Sequence, residues 1–152
     1  MPVNMIHIMY GGRRVGRAAM VNPYTCAFEY DGLWLADGFS ISPFQLPLEK
    51  KVFVANREPF AGNFGVFEDS LPDGWGRLLV DRLLVKRGVN PAELSILDRL
   101  AIVGSSGMGA LEYKPETVLA AEGGNPGLAE LAKEAEAIME EVRSICKSMN
   151  IC

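Results

Sequence analysis

MIHIMYGGRRVGRAAM, residues 5–20, decides the fold class of this chain. Two runs that suit β-strands flank Gly11-Gly12, and glycine accepts the positive φ angles of a tight hairpin turn at little energetic cost. The pattern extends outward, because YTCAFEYD (24–31) suits a third strand and Asp31-Gly32 a second turn. LWLA (33–36) is predicted to follow as another strand. We therefore predict an antiparallel meander or a small β-barrel.

Two further segments extend this sheet or cross it. SISPFQLP (40–47) contains two prolines, which cannot donate a hydrogen bond to a β-ladder, so we predict a structured loop across one end of the sheet. KKVFVAN (50–56) is predicted to return as one more strand, and ALEYK (110–114) to form the last one.

The chain becomes helical from Ser70. Ser70 and Asp73 have the spacing that caps the start of a helix, and large apolar residues then recur at helical intervals up to Gly88. Asn90-Pro91-Ala92-Glu93 repeats the capping pattern for a second helix, which Gly104 is expected to end. The sequence therefore predicts two consecutive helices.

A third helix is predicted to begin at Asn125-Pro126, after a loop over residues 116–125. Its apolar residues are spaced alternately three and four apart, as in a heptad repeat: Leu128, Leu131, Ala135, Ile138, Val142, Ile145 and Met149. Three heptads are short for an autonomous coiled coil. Packing onto the body of the domain and a seam between copies both remain open.

Composition excludes several classes of function. The 19 acidic and 15 basic residues give a net charge of −4, which offers no overall cationic field for nucleic acid. The cysteines, Cys26, Cys146 and Cys152, and the single histidine, His7, lack the spacing of a metal site, so we expect no metal or cofactor. No apolar run approaches the roughly 20 residues of a membrane span, and no signal segment is apparent. We expect a cytoplasmic protein that binds neither membrane nor nucleic acid directly.

Motifs for catalysis are weak. The glycine cluster at 104–109 lacks the Lys-Ser or Lys-Thr pair of a phosphate-binding loop and leads into a strand, so a tight loop is favoured. His7 alternates with two isoleucines in a strand and can equally lie on its outer face. We predict no enzymatic activity, and a small enzyme built on His7 or on an acidic residue such as Asp73 remains an alternative.

Trp75 is the most informative candidate for binding. Glycines flank it at the start of the predicted helix, so a large aromatic side chain stands beside flexible backbone, as an interaction anchor would. The alternative is that Trp75 fills the core and Arg77 pairs with a nearby acid. These residues alone do not separate the two interpretations.

Three stretches together resemble the N-terminal domain of HipA-family serine/threonine kinases. They are FSISPFQLPL (39–48), FGVFEDSLPDGWGRLLVDRLL (64–84) and LDRLAIVGSSGMGALEYKP (97–115). The resemblance covers about residues 3–116 and implies an α+β fold, a small antiparallel β-barrel or sheet followed by two packed helices. We therefore divide the chain into residues 1–116, a HipA N-terminal-like domain, and residues 117–152, a loop and a C-terminal amphipathic helix.

The resemblance also implies a partner. In the family this domain packs on the kinase core and takes part in assembly with a helix-turn-helix DNA-binding antitoxin, and in some relatives a separate small protein called HipS binds and neutralises the kinase. The glycine loop, catalytic aspartate and metal ligands of phosphoryl transfer cannot be assigned here. We expect a non-catalytic toxin–antitoxin component that regulates a HipA-like kinase in trans. The alternative is the N-terminal lobe of a longer kinase, in cis.

Carried over by the resemblance, the partner-binding residues form one loop and the start of the helix after it. They are Ser70, Leu71, Pro72, Asp73, Gly74, Trp75 and Arg77.

Overall fold

The computed structural model describes residues 3–105, 109–115 and 137. Its strands are β1 (Met5–Tyr10), β2 (Arg13–Asn22), β3 (Thr25–Tyr30), β4 (Phe53–Val54) and β5 (Leu111–Pro115). They form one antiparallel sheet in the order β4-β3-β2-β1-β5. Since β4 and β5 lie at opposite edges, the predicted antiparallel structure is confirmed as an open sheet.

The chain segments that connect these strands contain four α-helices in the described residues. They are α1 (Gly32–Asp37), α2 (Gly65–Glu68), α3 (Gly74–Lys86) and α4 (Ile96–Val103). A single 3₁₀ turn, Pro91–Glu93, precedes α4. The predicted α+β class with two packed helices is confirmed, because α3 and α4 share a small apolar cluster of Val80, Leu84 and Ile102.

The predicted strand at 33–36 is wrong, because these residues belong to α1. The Asp31 carboxylate accepts a hydrogen bond of 3.0 Å from the backbone N–H of Leu33, which caps a helix instead of closing a hairpin. Trp34 is buried in the core while Leu33 is 80% exposed. The short apolar run therefore has a single buried side chain, and helix and strand patterns are indistinguishable at that length.

Both predicted helix starts are displaced. α3 begins after Asp73, and the Ser70 side chain bonds elsewhere. Asn90 caps only the 3₁₀ turn, through the N–H of Ala92 at 3.1 Å. α4 begins after Ser95, which forms a reciprocal capping box with Asp98. A capping pattern in sequence therefore occurs at turns as well as at helix starts.

Other predicted elements are confirmed. Gly104 ends α4 with φ of 55°, β4 is a two-residue edge strand, and β5 pairs with β1. The loop at 40–47 contains one isolated bridge, between Ser42 and Leu46. The predicted C-terminal helix, with Cys146 and Cys152, lies outside the described residues except for residue 137.

The main core lies between one face of the sheet and α1, α2 and α4. Ile6, Ile8, Phe28, Trp34 and Phe67 are among its largest buried side chains. His7, for which an outer face was considered, is only 6% exposed, so both faces of β1 are covered at this point. In the described part of the chain, no helix is long and apolar enough to cross a bilayer.

Candidate partner-binding site

Ser70 fixes the start of the candidate loop to the sheet. Its side chain is 2% exposed, and its Oγ lies 2.6 Å from the hydroxyl oxygen of Tyr113 on β5. Burial raises the pKa of Tyr113 above its ordinary range, so its hydroxyl stays protonated and the contact is a neutral hydrogen bond. Ser70 therefore positions the loop from inside the domain, without an exposed surface of its own.

Leu71, Pro72 and Arg77 line a cleft beside α3. Its floor is apolar and is formed by Val80 and Leu84 of α3 with Ile102 and Val103 of α4. Glu68 and Arg99 complete the lining. The structure therefore brings three of the predicted site residues together over an apolar surface.

The charged side chains around this cleft differ in whether they have a partner among the described residues. Arg99 donates to Asp81 Oδ1 at 3.0 Å and to the Pro91 carbonyl at 2.9 Å. Glu68 accepts a hydrogen bond of 2.8 Å from Asn63. The Arg77 guanidinium is exposed and makes no salt bridge with any other described residue. The pairing of Arg77 with a nearby acid, considered from sequence, is absent in this part of the chain.

Trp75 lies in the first turn of α3 and is 54% exposed. At 100° per residue it falls on the opposite side of the helix from Val80 and Leu84, which are buried. Asp73 and Gly74 beside it are also exposed. The interpretation of Trp75 as a core residue is therefore wrong, and its exposure is what a contact with a partner requires.

Sequence reasoning missed two parts of this site. The spacing of Arg77, Val80 and Leu84, three and then four residues apart, could have indicated the lining of the cleft. The bond between Ser70 and Tyr113 spans 43 residues and left no local pattern.

The structure places Cys26 in the core and Gly104 at the end of α4. Burial raises the pKa of the Cys26 thiol to about 12, so it is not a nucleophile near neutral pH. Among residues 3–105 and 109–115, no three His, Cys, Asp or Glu side chains are grouped to hold a metal ion. The backbone N–H of Tyr113 donates to the Gly104 carbonyl at 3.0 Å, which joins β5 to the end of α4.

A family model described as the HipA N-terminal domain matches residues 6–114 of the chain. The match covers β1 to α4 almost completely and extends through most of β5. No curated protein matches the chain.

Proposed function

Because the chain belongs to the HipA N-terminal domain family, we propose that it binds a HipA-like serine/threonine kinase in trans and inhibits it. The family provides the context, that of HipA-related toxin–antitoxin systems. In this proposal the chain is a cytoplasmic, non-catalytic regulator, and a helix-turn-helix antitoxin is a further partner of the assembled complex.

The exposure of Trp75 carries this proposal. A half-exposed tryptophan at the start of a helix costs the monomer an unfavourable apolar contact with water, which a partner's pocket would remove. The loop that precedes it is fixed by the buried bond between Ser70 and Tyr113. Less conformational freedom is then lost on binding, since the loop is already ordered.

In the proposed complex, Trp75 enters a cleft of the kinase and obstructs its active site. Asp73 and Gly74, which are exposed beside it, lie at the edge of the contact. Leu71 and Pro72 support the loop from below, because both are half-buried at the cleft beside α3. The exposed Arg77 is placed to pair with a carboxylate of the kinase.

The second candidate function is that of an N-terminal lobe within a longer kinase. The same exposed surface would then pack on a catalytic core in the same polypeptide. The neighbouring DNA separates the two, because a separate kinase reading frame supports action in trans and an in-frame continuation supports the lobe.

The test is titration of the purified chain into the neighbouring HipA-like kinase, with binding and phosphoryl transfer measured in the same samples. We expect tight binding with loss of kinase activity. We expect Trp75→Ala to weaken binding by about 2 kcal/mol or more, as the loss of an interface anchor does.

Tyr24→Ala is the matched control, because Tyr24 is also an exposed aromatic residue but lies in the turn between β2 and β3. It should leave the affinity unchanged. A large fall in the melting temperature of Trp75→Ala, with unchanged affinity, would contradict the proposed role of Trp75. Binding that leaves kinase activity intact would contradict inhibition.

A further inference from the structure

Trp75 is one end of a longer apolar surface along α3. Leu78 and Val85 are 44% and 63% exposed, and they follow Trp75 by three and ten residues. At 100° per residue these three side chains lie on one side of the helix, together with Arg82. We call these four residues and Lys86 the outer face of α3.

None of these apolar side chains contributes to a hydrophobic core of the described residues. The opposite side of the helix packs into the domain through Val80 and Leu84. The outer face is therefore apolar surface that the other described residues do not cover.

The charged side chains on the outer face of α3 are all positive. The exposed ionic side chains of the helix are Arg77, Arg82 and Lys86, and Arg87 follows at the C-cap. The one carboxylate within the helix, Asp81, is engaged by Arg99 of α4 at 3.0 Å. In a chain with a net charge of −4, the outer face is a local cationic region.

We propose that the outer face of α3 is a docking surface for an apolar groove that is bordered by Asp and Glu side chains on the partner kinase. Charge complementarity argues for this occupant, since Arg82 and Lys86 flank the apolar side chains and would pair with carboxylates at the rim of such a groove. A groove that binds one face of a helix contacts side chains at the spacing of Trp75, Leu78 and Val85. The inference rests on the proposed function and extends it beyond Trp75.

The same surface suits other partners less well. A phosphate backbone would leave Trp75, Leu78 and Val85 in water, because it offers charge without an apolar face. An anionic lipid surface would take both features, but a helix that lies on a membrane usually presents a longer apolar face than three side chains. Both alternatives are included below as outcomes of the test.

The experiment compares two double variants of the full chain in kinase binding. Leu78→Ala with Val85→Ala removes apolar area, and Arg82→Glu with Lys86→Glu reverses two charges. All four positions are exposed on α3. The fold should therefore persist, which circular dichroism and thermal unfolding check. We expect each double variant to raise the Kd by about tenfold or more, and the charge reversal also to reduce the dependence of Kd on salt.

Matched controls lie on other elements. Val21→Ala removes an exposed apolar side chain at the end of β2, and Lys50→Glu with Arg57→Glu makes the same change of charge in exposed segments that flank β4. We expect these to leave the Kd within about twofold, because exposed side chains outside an interface contribute little. Equal effects of the α3 variants and the controls would overturn the docking surface.

The outcomes separate this inference from the proposed inhibition. If the wild-type chain binds the kinase without inhibiting it, inhibition is contradicted. If the α3 variants then lose this binding, the docking surface is supported. Unchanged binding and inhibition by both α3 variants overturns the docking surface and leaves inhibition to Trp75. The wild-type chain could instead bind duplex DNA, or vesicles of phosphatidylcholine and phosphatidylserine, and not the kinase. If Arg82→Glu with Lys86→Glu abolishes that binding, the docking surface for the kinase is overturned.

Discussion

At the scale of single residues, the buried hydroxyl group of Ser70 holds the loop before α3 in place. Ser70 precedes a helix at a capping distance, yet it is buried and bonds to Tyr113 at 2.6 Å. A buried hydroxyl group that loses its partner costs more than an exposed one, because water cannot replace the bond. The pair therefore ties the loop before Trp75 to the edge of the sheet.

This role predicts a shared effect of Ser70→Ala and Tyr113→Phe. Each should lower the free energy of unfolding by about 1–2 kcal/mol and weaken kinase binding, and the double variant should cost little more than either alone. Tyr30→Phe is the control, because the Tyr30 hydroxyl group donates to the Leu46 carbonyl at 2.6 Å and so holds a different loop. Urea unfolding and binding titration measure both effects. Weakened binding in Tyr30→Phe to the same degree would show that the effect is only one of general stability.

From the raised pKa of the Cys26 thiol we expect a loss of stability at alkaline pH. Its pKa rises from 9.0 to about 12 on burial, so the unfolded chain loses this proton above about pH 9 while the folded chain retains it. Stability is then complete below about pH 9 and falls as the pH rises towards 12. Urea midpoints of the wild type and of Cys26→Ala, taken between about pH 8 and about pH 10, measure this slope. A slope unchanged by the substitution would refute the assignment.

At the scale of elements, α4 holds the residues that precede β1 against the helical part of the domain. The buried Asp98 carboxylate accepts from the backbone N–H of Val3 at 2.7 Å and from that of Ser95 at 2.8 Å. One side chain therefore caps α4 and holds the residues that lead into β1. A helix cap that also makes a long-range contact should contribute more than an isolated cap.

We predict that Asp98→Ala lowers the free energy of unfolding by about 2–4 kcal/mol, because it leaves two donors without their acceptor. Asn90→Ala is the matched control, since Asn90 caps only the exposed 3₁₀ turn and should cost about 1 kcal/mol or less. Chemical denaturation of both variants provides the comparison. Equal losses would mean that the contact with Val3 contributes nothing.

At the scale of the whole molecule, the two hydrophobic clusters of the described residues are unequal in size. The main core includes side chains from all five strands, whereas α3 is held through the small cluster with Ile102. A helix with few buried contacts opens locally before the domain unfolds. Local opening of α3 suits a surface that a partner covers.

Hydrogen exchange should reveal the local opening of α3. In the free chain we expect amides of α3 to exchange faster than those of β1 and β2, and in the kinase complex we expect α3 to gain the most protection. The β2–β3 hairpin is the internal reference, since it lies away from the proposed interface. Protection of α3 equal to that of β1 in the free chain would contradict this local opening.

Local patterns in the sequence were enough to predict the α+β class of this fold. Gly-Gly at 11–12 and Gly104 act through positive φ angles, and the prolines of the 40–47 loop act through their missing N–H group, so their effects were predictable. The start and end of each helix were less predictable, because Ser70, Asn90 and Ser95 all offer a capping side chain and only tertiary contacts choose among them. Tertiary structure also decided that Trp34 is buried and Trp75 exposed, since burial depends on which face of each helix meets the sheet.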